Sequence, residues 1–162
     1  MTNTLIDALE EQVIAPVPAS NIKKILVAVD LSPHSERTAA YAADLAKVFG
    51  ASLTLINVCS PAGAAQVTNE KDQRFDEPMV APEVQLEQLA KRVRKIYPTC
   101  QAYLYVGDPA DKVATMAEIL HADLIVTGSH HPGFLGQLVG LDHARQILHQ
   151  APCPVLVYQE RE

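Results

Sequence analysis

The sequence predicts an α/β fold: one doubly wound, five-stranded parallel sheet with four helices in strict alternation. Three observations carry that expectation. Ile25-Leu-Val-Ala-Val29 and Leu124-Ile-Val126 are short unbroken apolar runs, as suits strands buried on both faces of a parallel sheet. The segments between such runs place apolar residues every three or four positions, the period of one helix face. Prolines, glycines and short polar residues stand where helices must start and stop.

Residues 1–21 read as an appendage. Asn3 or Thr4 is placed to cap a short helix with Leu5, Leu9 and Val13 on one side, before the breaker Pro16-Val-Pro18. Such a helix is too short to be stable alone. The domain proper spans residues 22–159. Its first strand ends at Asp30, Ser32 is expected as the N-cap of the next helix, and Pro33 fits its first turn. Ala39, Ala42, Ala43, Leu45, Ala46 and Phe49 give that helix its packing face, and Gly50 terminates it. Ser52–Val58 is the second strand, reached by a right-handed crossover.

Residues 60–82 break the rhythm, with Pro61, Gly63, Pro78 and Pro82 among polar residues, and read as a long mobile loop. Pro82 and Glu83 open a helix whose buried face is Leu86, Leu89, Ala90, Val93 and Ile96. Lys91, Arg92, Arg94 and Lys95 form a solvated basic cluster near its C-terminus, where positive charge is favoured. Cys100, Ala102, Leu104 and Val106 alternate with polar or tyrosine positions as a third strand. Gly107-Asp-Pro109 supplies a turn, an N-cap and a first-turn proline for a helix through Val113, Met116, Ala117 and Leu120. The fourth strand ends at Gly128, and Gly133, Gly136 and Gly140 follow in a loop where backbone amides can approach a ligand. From about Leu138 to Gln150 the stripe Leu138, Leu141, Ala144, Ile147, Leu148 and Ala151 predicts the last helix. Pro152 and Pro154 stop it, and Val155–Tyr158 closes the sheet.

Composition narrows the function classes. The 162 residues suit one domain, with 48% apolar and 20% charged residues, as in an ordinary soluble globular protein. A net charge of -6 argues against nucleic acid or an anionic membrane as partner. No apolar run approaches the roughly 18 residues of a membrane span, and no signal-peptide pattern opens the chain. Cys59, Cys100 and Cys153 are odd in number and lack metal-ligand spacing, which points to reduced thiols in a cytoplasmic compartment.

Chemistry-bearing residues gather where the strands end. Asp30 either accepts hydrogen bonds from a ribose or an adenine amino group, or caps the following helix. The glycine loop either cradles phosphate or is a turn. His130, His131, His143 and Asp142 are the nearest approach to a metal cluster, but no close-spaced ligand pair is present, and no metal is expected. No nucleophile elbow or phosphate-binding Gly-Lys-Ser/Thr loop occurs, so no catalytic residue is assigned.

Lys24–Pro33, Leu55-Ile-Asn-Val58, Gly107-Asp-Pro109, Ala122–His130 and His149–Val157, in this order and spacing, resemble the universal stress protein family over residues 22–159. The resemblance implies an adenine nucleotide alpha hydrolase-like sheet and a homodimer formed by antiparallel pairing of the last strand, Val155–Tyr158, which also covers an apolar edge. It implies a stress-response role. ATP-binding members carry Gly-x2-Gly-x9-Gly-Ser/Thr after the fourth strand, whereas UspA-like members lack it. Here Gly128 matches the first glycine and His130 the histidine after it. His131 stands at the second glycine position, Leu141 at the third with Gly140 one residue early, and Asp142 at the Ser/Thr position. An ionised carboxylate repels a triphosphate and donates no hydrogen bond. A register shift would bring Gly140 into the third place. Asp30 and Val58 match the adenosine-contacting positions. The expected protein is therefore a cytoplasmic, non-catalytic dimer with a degenerate ATP motif and no assigned cofactor, serving a protein partner the residues do not name. The alternative is an ATP- or AMP-binding switch with at most slow ATP hydrolysis.

Overall fold

The computed structural model describes residues 21–59, 61, 80–129 and 140–160, with backbone alone at 140–143. The expectations for the N-terminal appendage and for most of the 60–82 loop therefore lie outside the described residues. Among the described residues, strands and helices alternate through β1 (Lys24–Ala28), α1 (Ser35–Phe49), β2 (Ser52–Cys59), α2 (Pro82–Arg94), β3 (Gln101–Val106), α3 (Pro109–Leu120), β4 (Leu124–Gly128), α4 (Gly140–Gln150) and β5 (Val155–Tyr158). All strand pairs are parallel, in the order β3-β2-β1-β4-β5.

The central strands are apolar on both sides because both sides are covered. Ile25, Val27, Leu53, Leu55, Leu124 and Val126 pack with the alanines of α1 and with Leu86, Leu89 and Val93 of α2. Leu26, Ile56 and Ile125 pack on the other face with Ala110, Val113 and Ala117 of α3 and Ile147 of α4. The strand order reverses between β1 and β4, and the chain leaves each of these strands in opposite directions. A crevice results at their carboxyl ends.

Local chemistry sets the element ends. Gly50 terminates α1 in the left-handed region, at φ 62°, donating to the carbonyls of Ala46 and Lys47. Asp108 caps α3 by accepting from Asp111 N at 3.1 Å. At the amino end of the sheet, Asp123 Oδ2 accepts from the backbone N–H groups of Lys23 and Lys24, at 2.8 and 2.9 Å, and so ties β1 to the approach of β4.

Three expectations need correction. α1 starts at Ser35, not at Ser32–Pro33, and its N-cap residue His34 makes no side-chain cap. Leu31 takes a left-handed turn (φ 61°), and Ser32 to Ser35 form a separate turn closed by Ser35 N donating to Ser32 O at 3.0 Å. Leu148 is 50% exposed, so among the described side chains the inward positions are Ala144 and Ile147 of α4 and Ala151 just after it. The basic cluster of α2 is solvated at Lys91 and Lys95, yet Arg92 Nε pairs with Glu36 of α1 at 3.3 Å, and Arg94 bonds both Glu87 and the Cys100 carbonyl.

The three cysteines are free thiols in or beside strands. Cys100, immediately before β3, is 3% exposed. Burial pushes its thiol from 9.0 up to about 11, against a smaller downward pull from Arg94 and a backbone hydrogen bond at Leu55. The folded state thus holds this proton more tightly than the unfolded chain does. Its contribution is complete below pH 9.0 and is lost as pH rises through about 11. Urea unfolding between pH 8.5 and 10.5 should show stability falling more steeply in the wild type than in Cys100→Ala, by about 1–2 kcal/mol over that range. Parallel slopes would show that the thiol is not desolvated.

Candidate functional site

Two adjoining hollows occupy the carboxyl edge of the sheet. The larger is a cleft of about 530 Å³ whose walls include Val29, Asp30, Asn57, Val58, Val113 and Ile147. The smaller, about 100 Å³, lies between the ends of β1 and β4, the N-terminus of α1 and the segment after β5. Ala28, Asp30, Ser32 and Thr127 border both. The cleft suits a flat apolar group, and the cavity suits something polar.

Asp30 is the hinge of the site. It follows β1 by two residues, and its Oδ1 accepts from Ser32 N at 3.0 Å and from Ser35 Oγ at 2.7 Å. The two readings of this residue are therefore compatible: its carboxylate organises the approach to α1 and also lines both hollows. Val58 stands on β2 beside β1, so the two positions matched to adenosine contacts border one cleft. Gly128 ends β4 and borders the small cavity. His130 and His131 lie outside the described residues. Gly140, Leu141 and Asp142 form the start of α4, where the backbone alone is described. Asp142 and His143 therefore enter no side-chain argument. Among the described residues, no group of three His, Cys, Asp or Glu is placed to hold a metal ion, and no helix is long and apolar enough to cross a membrane.

The small cavity is lined mostly by hydroxyls and carboxylates. Ser32 Oγ and Ser129 Oγ are buried there without a hydrogen-bond partner among the described residues. Buried hydroxyls are nearly always bonded, so such a pair marks a place where a polar group belongs. Glu160 walls the cavity from the C-terminal side, held by Arg37 at 2.5 Å and His34 at 3.2 Å. Tyr158 stacks on Tyr41 with ring centroids 4.9 Å apart. These contacts pin the segment after β5 against α1.

Sequence reasoning missed Ser129, Thr38, Glu160 and any role for Asn57. Thr38 had a signal, since a hydroxyl interrupts the alanine face of α1. Glu160 had none, because its partners lie more than 120 positions away.

The family model for the universal stress protein family matches residues 21–159. A Thermus aquaticus protein, "Universal stress protein in QAH/OAS sulfhydrylase 3'region", is 32% identical over 139 residues, covering 83% of this chain and 97% of its own length. "Universal stress protein A homolog 1" of Coxiella burnetii is 32% identical over 150 residues, covering 86% and 98%. Among solved structures, the universal stress protein from Archaeoglobus fulgidus in complex with dAMP superposes with a TM-score of 0.58 at 25% identity, over 83% of this chain and 96% of that one.

A packing test applies to Gly128. A Cβ there would sit 2.9 Å from Thr38 Oγ1, which itself donates to His34 O at 3.3 Å. Thr38 is buried and branched at Cβ, so relieving the overlap takes a rotamer change that gives up its bond to His34 O, or a backbone shift. Gly128→Ala should lower unfolding free energy by about 1–3 kcal/mol, and adding Thr38→Ala should recover most of that loss. Urea titration of the four proteins of this double-mutant cycle measures the coupling. Additive effects would show that the two elements do not touch here.

Proposed function

The chain belongs to the universal stress protein family, and on that premise we propose a cytoplasmic, dimeric regulatory protein that binds the adenosine part of an adenine nucleotide and acts by binding, not turnover. The observation that carries this reading is the cleft of about 530 Å³ flanked by Asp30 and Val58 at the strand-order reversal. Ile56, Val58, Val113 and Ile147 offer an apolar bed for a base. The adjoining cavity presents the hydroxyls of Ser32 and Ser129 beside the carboxylates of Asp30 and Glu160. Carboxylates accept hydrogen bonds from ribose hydroxyls but repel phosphate, so the cavity favours sugar over a polyphosphate chain. The Archaeoglobus fulgidus structure, in complex with dAMP, supports an adenine nucleotide as ligand.

The dimer rests on β5. It is an edge strand bearing Val157, 37% exposed, and among the described residues no strand pairs with its outer side, which could take a second copy. The alternative, an ATP-held switch with at most slow hydrolysis, draws support from α4. That helix starts at Gly140, and its Ala144 lines the small cavity, an arrangement that favours anions near its N-terminus.

Calorimetry with adenosine, AMP and magnesium-ATP, together with native mass spectrometry, tests the proposal. Adenosine and AMP are expected to bind within about tenfold of each other, with ATP no tighter. Asp30→Ala should weaken both by about tenfold or more, the effect of losing hydrogen bonds to a charged group. The native mass is expected to be that of a dimer. ATP retained through purification would instead establish the switch.

A further inference from the structure

We propose that Asn57 is a positioning residue for this cleft: its side chain ends the pairing of β1 one residue before Asp30 and thereby sets where Asp30 meets a ligand. The inference rests on the adenosine-binding reading above. Asn57 is a polar side chain inside an apolar strand, flanked by Ile56 and Val58, and only 4% exposed. Its Nδ2 donates to the backbone oxygen of Val29 at 2.8 Å, and its Oδ1 accepts from Cys59 Sγ at 3.3 Å. Both functions of the amide are engaged.

The Val29 carbonyl is where the chain leaves the sheet. Val29 N still donates to Ile56 O at 2.9 Å, continuing the β1–β2 ladder. The carbonyl of the same residue is taken by a side chain instead. Asp30 follows, Leu31 turns left-handed at φ 61°, and Asp30 Oδ1 then gathers Ser32 N and Ser35 Oγ. A single amide on β2 therefore fixes the exit of β1, and Asp30 transmits that position to the N-terminus of α1. An apolar side chain at position 57 would leave the half of this carbonyl that faces β2 without its donor. The residue borders the cleft as well as supporting it.

Asn57→Asp separates the roles, because it keeps the shape and replaces the donating NH₂ with an oxygen. Only a protonated Asp has an O–H to give to Val29 O. Full-length wild type and variant are titrated with AMP at pH 7.5 and pH 5, and amide hydrogen exchange of Ser32 is read without ligand, beside Leu26 in the middle of β1. At pH 7.5 the variant is expected to bind AMP about tenfold or more weakly, with the gap to wild type narrowing at pH 5. Asp30, which borders the same cleft, and Cys59, which donates to the position 57 side chain, are common to both proteins, so affinities are compared as a ratio at each pH. Ser32 should exchange about tenfold faster while Leu26 changes less, the pattern of a local opening. Equal affinities of wild type and variant at both pH values overturn the proposal. If the wild type itself binds no AMP, the nucleotide reading fails and Ser32 decides alone: unchanged exchange overturns the positioning role, and selective acceleration supports it. Should Asn57→Asp fail to fold, Asn57→His carries the test, since its ring Nδ1–H reaches the same carbonyl. Affinity and Ser32 exchange within about threefold of wild type support the proposal, and a tenfold loss of affinity in a folded Asn57→His overturns it.

Discussion

Burial of β1 on both faces is the constraint from which the architecture follows. Ile25, Leu26 and Val27 are 2%, 1% and 0% exposed, so successive side chains, which point to opposite faces, are all shielded. A strand shielded on both faces needs helices on both sides, and parallel neighbours need crossovers long enough to hold them. With β2 and β3 stepping outward on one side of β1, and β4 and β5 on the other, the reversal between β1 and β4 is unavoidable. The crevice at their carboxyl ends is thus a product of core packing. The crevice comes with the topology, and only its lining remains for individual residues to decide.

That lining reuses one chemical device at several strand ends. A strand that stops leaves backbone groups without ladder partners, and polar side chains take them up. Asp123 does this at the amino end of the sheet for the N–H groups of Lys23 and Lys24. Asn57 does it at the carboxyl end for the Val29 carbonyl. Asp30 then does it for Ser32 N and extends the pattern to the Ser35 hydroxyl. The difference lies in surroundings. Asp123 borders neither hollow at the carboxyl edge, while Asp30 and Asn57 border the cleft, so the same interaction lies away from the hollows at one end of the sheet and lines them at the other.

The element order and the sheet were legible because both depend on periodicity and on local punctuation. Gly50, Asp108 and Pro82 sit where the sequence places them, each acting within a turn of its own position. Ser32 failed as a helix start because a carboxylate two residues earlier captures its N–H and the left-handed Leu31 redirects the chain. Leu148 failed because the stripe on α4 is narrower than an apolar count suggests, with Ile147 taking the inward place. That Asp30 and Val58 would stand together was legible from motif positions, and both border the cleft. Glu160 was not, since its role exists only once β5 lies beside β4 and its tail reaches α1.

Gly128 shows how a motif can mislead when read residue by residue. In the family pattern it is the first glycine of a phosphate loop, and its presence here reads as the remnant of one. In the fold it is where β4 passes α1, and Thr38 Oγ1 occupies the space a Cβ would need. Packing alone therefore accounts for this glycine. The family's second and third glycine positions and its hydroxyl position carry His131, Leu141 and Asp142 here, so the match to the glycine pattern does not extend past Gly128. Once Gly128 is explained by Thr38, the motif no longer weighs toward ATP. The proposed reading then depends on the groups that border both hollows, Asp30 and the Ser32 hydroxyl among them.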